Sequence, residues 1–235
     1  MKLSIIIPCF NEEKTIKQII NRIHVYSKIK NKEIIVVDDG SNDQTRKILR
    51  SISGKITKTI FHKKNMGKGA AIKTGLKHIT GGIVIIQDAD LEYHPKDYKK
   101  LIKPILNKKY LVVYGSRVLL SKNRYFVKKG FYSISRIFFN HVLTILSNFI
   151  NSQNLTDAHT CYKVFNTVIF KKISLEHDDF SFCPEITTKI SNNKIKIKEV
   201  GIHYQGRDFS EGKKIRFTDG LIAIYTLIKF NLKYS

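Results

Sequence analysis

The chain has 235 residues, 42% hydrophobic and 26% charged, a balance that excludes a disordered or fibrous protein and fits one globular domain with at most a short appendage. Its 42 Lys and Arg against 19 Asp and Glu leave a formal charge of +23, which attracts polyanions or anionic lipid unless it is compositional drift. Cys9, Cys161 and Cys183 are odd in number and lack C-x-x-C spacing, so neither a disulfide framework nor a zinc ribbon is expected and a reducing compartment fits best.

Residues 1–8 carry one lysine and a short apolar run before Asn11-Glu12-Glu13, too short and too soon acidic for a signal peptide, so the cytoplasm is the expected location. Short Ile- and Val-rich runs at 3–7, 33–37, 83–86 and 111–114, separated by stretches of helical period, predict an α/β fold with a mostly parallel sheet covered by helices on both faces. Asn11 is placed to cap a first helix with Ile16, Ile19, Ile20 and Ile23 on one face, and Ser41 or Asn42 a second with Thr45, Ile48, Leu49 and Ile52 inward. Residues 69–79 predict a third helix, and 95–106 a fourth with Tyr98, Leu101, Ile102 and Ile105 inward. The stretch 131–150 is apolar almost all round but interrupted by Arg136, Asn140, His141 and Asn148, which predicts an interfacial or core helix rather than a membrane span. A strand at 161–165, a short helix near 184–190, an alternating strand at 194–204 and an apolar helix at 221–232 complete the reading.

Chemistry-bearing residues gather where these strands end. Asp38-Asp39-Gly40-Ser41 follows the second strand, where an open α/β sheet places ligands, although an Asp-Gly turn with a helix cap reads the same way. Asp88-Ala89-Asp90 follows the third, and alternation in an extended segment would turn both carboxylates, with Glu92 beyond them, toward one divalent cation. Mg2+ or Mn2+ suits such a supply, because it binds through one or two carboxylates plus substrate phosphates. Asn65-Met66-Gly67-Lys68-Gly69 precedes the third helix. Its glycines would admit a ligand and its helix start an anion, yet it is neither a Walker A loop nor a dinucleotide fingerprint. Arg117 follows the fourth strand, and Arg207, Lys213, Lys214 and Arg216 cluster after the last, which suits phosphate or a solvated basic loop. The three cysteines read as small packing residues.

In Ile7-Pro8-Cys9-Phe10-Asn11-Glu12-Glu13, Val37-Asp38-Asp39-Gly40-Ser41, Asn65-x-Gly67-Lys68-Gly69, Asp88-Ala89-Asp90-Leu91-Glu92, Gly115-Ser116-Arg117 and Glu211-Gly212-Lys213-Lys214, the chain resembles the family 2 glycosyltransferases, and within them the dolichyl-phosphate mannose synthase type. The resemblance implies a GT-A fold over residues 1–215, with 216–235 a C-terminal amphipathic helix. It implies that Pro8, Phe10, Glu12, Val37, Asp39 and Gly67 line the donor pocket. Asp88, Ala89 and Asp90 would contact the nucleotide and, with Glu92, hold Mg2+ or Mn2+. Arg117, Arg207 and Lys213 would grip phosphates, while His159 stands where close relatives tend to carry an acid.

The implied activity is inverting transfer from GDP-mannose or a UDP-sugar, with Asp90, Arg117 and Asp157 as the catalytic residues. A polyprenyl phosphate acceptor requires no base, whereas a hydroxyl of a soluble or cell-surface glycan would need one, with Asp157, Asp179 and Glu185 the candidates. The helices at 131–150 and 221–232, beside Lys128, Lys129, Lys229 and Lys233, fit an anionic membrane surface and equally a homo-oligomer contact. A nucleic-acid-binding protein would use the charge alone, and no motif for one is present, so no nucleic-acid partner is expected.

Overall fold

Residues 1–120, 131–206 and 217–234 are described by the computed structural model. The alternation of side chains along an extended backbone builds its core. In β1 (Leu3–Cys9), Ile5 and Ile7 face one layer of helices and Ile6 the other. β2 (Lys32–Asp38), β3 (Lys58–Phe61), β4 (Ile83–Ile86), β5 (Val112–Ser116), β6 (Lys163–Asn166) and β7 (Ile197–Gly201) extend this strand into one sheet. The order is β3-β2-β1-β4-β6-β5-β7, and every pairing is parallel except those of β6, which runs antiparallel to β4 and β5.

On one face, Ile5, Ile7, Val36 and Ile85 meet α1 (Ile16–Tyr26), α2 (Thr45–Ser51) and α4 (Tyr98–Leu106). On the other, Ile6, Ile35, Val84 and Ile86 meet α3 (Lys68–Leu76), α6 (Thr167–Lys172) and α7 (Phe182–Asn192). Burying each such isoleucine contributes roughly 1.5–3 kcal/mol. The long α5 (Phe131–Asn151) and α8 (Phe217–Tyr234) pack on α7 and on each other.

The inward stripes expected of α1 and α4 are buried throughout, and in α2 Ile48 alone stays half-buried. Two caps differ. Asn11 takes a left-handed φ of 52° instead of capping α1, and its Oδ1 accepts the Asn42 N–H at 2.9 Å. At α2 neither Ser41 nor Asn42 caps; Asp43 Oδ1 accepts the Thr45 N–H at 2.9 Å. β3 and α6 have no counterpart in the predicted elements. β3 is an edge strand of half-buried and exposed residues, so it lacks the apolar run by which buried strands are read. The last predicted strand shortens to Ile197–Gly201.

Candidate active site

The carboxyl ends of β1, β2 and β4 lie side by side, which brings their following loops to one edge. The first two loops are sewn together by reciprocal bonds. Asn11 N–H donates to Ser41 Oγ (2.9 Å), Glu12 N–H to Thr45 Oγ1 (2.9 Å), Glu13 N–H to Asp43 Oδ2 (3.2 Å) and Gln44 N–H to Glu13 Oε2 (2.9 Å). The acids and hydroxyls of both motifs therefore fix the shape of the edge, while Pro8 and Val37, partners in register, form the strand floor beside Phe10.

Asp38 and Asp39 divide the work. Buried Asp38 accepts from Arg46 Nε at 2.6 Å. Asp39 accepts the Met66 and Gly67 N–H groups at 2.9 and 2.8 Å, and His62 Nδ1 at 2.7 Å. The glycine loop is thus hung from Asp39. Gly67 (φ 99°) and Gly69 would each place a Cβ 2.4 Å from a carbonyl oxygen, of Asp178 and His177 respectively, so the backbone they admit is the chain's own 177–179 segment. Asp178 C=O also accepts the Ala70 N–H at 2.9 Å, so one N–H of the α3 start, read from sequence as open to an anion, is already bonded.

Beyond β4 the backbone turns at Ala89–Asp90, and Leu91 takes a φ of 66°. The alternation expected over Asp88, Asp90 and Glu92 therefore ends. Asp90 Oδ1 accepts the Glu92 N–H at 3.1 Å, while Glu92 Oε2 accepts the Tyr204 hydroxyl at 2.9 Å. Among the described residues, no three His, Cys, Asp or Glu side chains come together as a ready-made metal-holding group. The nearly buried Asp88 meets Lys68 Nζ at 2.5 Å, and that ammonium also lies 3.2 Å from Cys161 Sγ. Burial alone would lower the Lys68 pKa, and Asp88 beside it holds it well above the ordinary value. A cationic stand-in thus already occupies Asp88. Two carboxylates completed by a donor's phosphates suit Mg2+ or Mn2+.

Below this turn, Gln87 Oε1 accepts the Tyr98 and Tyr162 hydroxyls at 2.8 and 2.5 Å, while its Nε2 donates to the Asp88 carbonyl at 2.9 Å. Ala89 is buried in the core alongside. A fully bonded amide inside the protein is stiff, and it fixes the backbone from which Asp88 and Asp90 project.

Arg117, at the end of β5, is buried in a two-pronged pair with Asp157: Nε to Oδ2 and Nη2 to Oδ1, both 2.7 Å. Its guanidinium lies 5.2 Å from the Tyr204 ring centroid. Glu199 accepts the Thr156 and Asp157 N–H groups at 2.7 and 2.9 Å and holds their loop in place. Asp157 is thereby positioned as the counter-ion of Arg117. Glu185, fully buried, accepts the Glu176 and His177 N–H groups and Lys189 Nζ at 2.6, 2.9 and 2.7 Å. Of the three base candidates only Asp179 is exposed. Arg207, Lys213, Lys214 and Arg216, with Lys128 and Lys129, lie outside the described residues. Sequence reasoning passed over Lys68, His62, Gln87 and Glu199 as site-shaping groups. Gln87 had a signal, being the polar residue directly after an unbroken Ile/Val strand.

A mostly parallel sheet covered by helices on both faces, with acids at the ends of adjoining strands, is the arrangement of a GT-A fold. Residues 4–174 match Glycosyl transferase family 2, and the chain belongs to that family and is a glycosyltransferase. It is 28% identical to the UDP-N-acetylglucosamine--dolichyl-phosphate N-acetylglucosaminyltransferase of Methanococcus voltae, over 97% of this chain and 95% of that protein. It is 28% identical to the dolichol-phosphate mannosyltransferase of Pyrococcus furiosus, over 98% of this chain and 64% of that one. Glucosyl-3-phosphoglycerate synthase from Mycobacterium tuberculosis, solved with Mn2+, UDP and glucosyl-3-phosphoglycerate, superposes with a TM-score of 0.70 at 18% identity, covering 97% of this chain and 79% of that one.

Proposed function

We propose that this protein transfers a sugar from GDP-mannose or a UDP-sugar to a polyprenyl phosphate, by a single inverting displacement assisted by Mg2+ or Mn2+. The observation that carries this reading is the coupling of the acid edge to an apolar surface. Asn148 of α5 brackets Leu155 with both ends of its amide, donating to its C=O at 2.7 Å and accepting from its N–H at 2.9 Å. Leu155 begins the loop that carries Asp157 and so holds Arg117. On the same helix Phe138, Val142, Ile145 and Phe149 stand exposed at spacings of four, three and four, and Ile222, Tyr225 and Ile228 stand exposed on α8. An amphiphilic acceptor needs both halves: apolar ground for its chain and cationic ground for its phosphate. No described helix is long and apolar enough to cross a membrane, so contact with anionic lipid would be peripheral. The relatives named for transfer to dolichyl phosphate support this acceptor.

A phosphate oxygen of the acceptor attacks the anomeric carbon, the bond from that carbon to the donor's diphosphate breaks, and its electron pair leaves with the nucleoside diphosphate. An acceptor ionised at neutral pH needs no general base, which agrees with Asp157 and Glu185 being engaged in structural bonds. Asp88 and Asp90 would hold the divalent cation, which when bound neutralises charge on the departing diphosphate. Replacing Asp90 by Ala removes one of these carboxylates. We expect it to weaken UDP or GDP binding in Mn2+ at least tenfold by calorimetry and to abolish transfer; full activity in that variant overturns the assignment.

A further inference from the structure

We propose that Lys68 is a resident counter-ion of Asp88 that competes with the divalent cation for this carboxylate and is displaced when donor and metal bind together. The inference deepens the proposed function and rests on its placing of the cation at Asp88 and Asp90. Lys68 opens α3 directly after Gly67, which is held to Asp39 at 2.8 Å, and Ala70 is bonded to Asp178 at 2.9 Å. The root of the lysine is therefore fixed on both sides, and its side chain enters the site from a rigid base. Its Nζ sits 2.5 Å from Asp88 Oδ1, with both side chains nearly buried. Cys161 Sγ lies 3.2 Å away and the Phe180 ring centroid 5.7 Å away; a sulfur and an aromatic face accommodate an ammonium without neutralising it.

Two consequences follow from electrostatics. A buried carboxylate beside an ammonium attracts a second cation less than a bare one does, so Lys68 lowers affinity for metal alone. A nucleoside diphosphate offers the displaced ammonium a new anionic partner inside the same site, so metal and donor then favour each other. The coupling is reciprocal, since whatever donor does for metal affinity, metal does for donor affinity. The edge would thus stay unloaded by metal alone and close on the pair.

The test reads Mn2+ binding directly by electron paramagnetic resonance, without turnover, with and without UDP or GDP. Lys68→Gln should bind Mn2+ alone on the order of tenfold more tightly than the unaltered chain, and nucleotide should improve its Mn2+ affinity less; couplings between sites typically span 5–150-fold. Lys68→Arg keeps the charge and should behave as the unaltered chain does. Unchanged or weaker Mn2+ binding in Lys68→Gln overturns the proposal, and so does tightening in Lys68→Arg equal to that in Lys68→Gln. If the unaltered chain binds no Mn2+ even with nucleotide, the metal-dependent reading itself fails.

Discussion

Arg117 and Asp157 form a pair whose value lies in being complete. Two charges taken out of water are tolerated because each satisfies the other through two short bonds; removing one strands its partner, at about 3–5 kcal/mol. Asp157→Ala is therefore expected to lose that much stability in urea unfolding, and Arg117→Met with Asp157→Leu to recover most of it. His159 contributes by staying neutral inside the fold. Burial first, and then the neighbouring Lys163, pull its pKa down to about 4, below that of the unfolded chain, so its contribution is present above pH 6.5 and lost as pH falls toward 4. Glu33 repeats this lower down: burial alone would raise its pKa, but bonds from Lys2, Ser4 and Thr80 outweigh that and bring it to about 2. Stability should thus fall in two windows, about 6.5 to 4 and then about 4.5 to 2. In melting curves against pH, His159→Asn should flatten the first by up to about 3 kcal/mol and leave the second. At this scale Asp88 and Asp90 were legible as acids after a buried strand. Their partners were not, because Lys68 reaches Asp88 across 20 residues of chain and Arg117 reaches Asp157 across 40, separations that local pattern does not encode.

Among the elements, those with a strong period were read well. The isoleucines of α1 and the stripe of α4 fall where 3.6-residue spacing puts them, and β4 matches its predicted bounds. β3 escaped because an edge strand does not need an apolar run. The direction of β6 escaped because antiparallel and parallel buried strands share one composition. The glycines of the 65–69 loop were read as room for a ligand, and the structure spends them on the 177–179 segment, Gly67 lying against the Asp178 carbonyl far along the chain. α5 and α8 were read as interfacial or core helices, and the structure divides each: Leu143, Thr144 and Ser147 are buried, while Phe138, Ile145 and Phe149 are exposed, Phe149 at 85%. If that outward stripe meets lipid, the protein should sediment with anionic vesicles at low salt, release as salt rises, and lose most binding in Ile145→Glu with Phe149→Glu. Equal sedimentation of that variant would assign the stripe elsewhere.

For the molecule as a whole, the excess of 23 positive charges is the loudest feature of the sequence and the least specific. Some of it is paired inside the fold, at Lys68, Arg117 and Lys189. Exposed lysines such as Lys229 stand near the apolar stripes, where they suit an anionic lipid surface. Family, fold and acid edge could be read from motifs in order, whereas acceptor and donor depend on surfaces that residue order does not rank. The most direct measurement incubates the protein with Mn2+ and either GDP-mannose or a UDP-sugar, offers polyprenyl phosphate or a hydroxyl-bearing glycan, and identifies products by mass. A glycosylated polyprenyl phosphate, formed with release of the nucleoside diphosphate and suppressed by chelator, is the predicted result. Sugar appearing only on the glycan, or no product with any donor, would contradict the account.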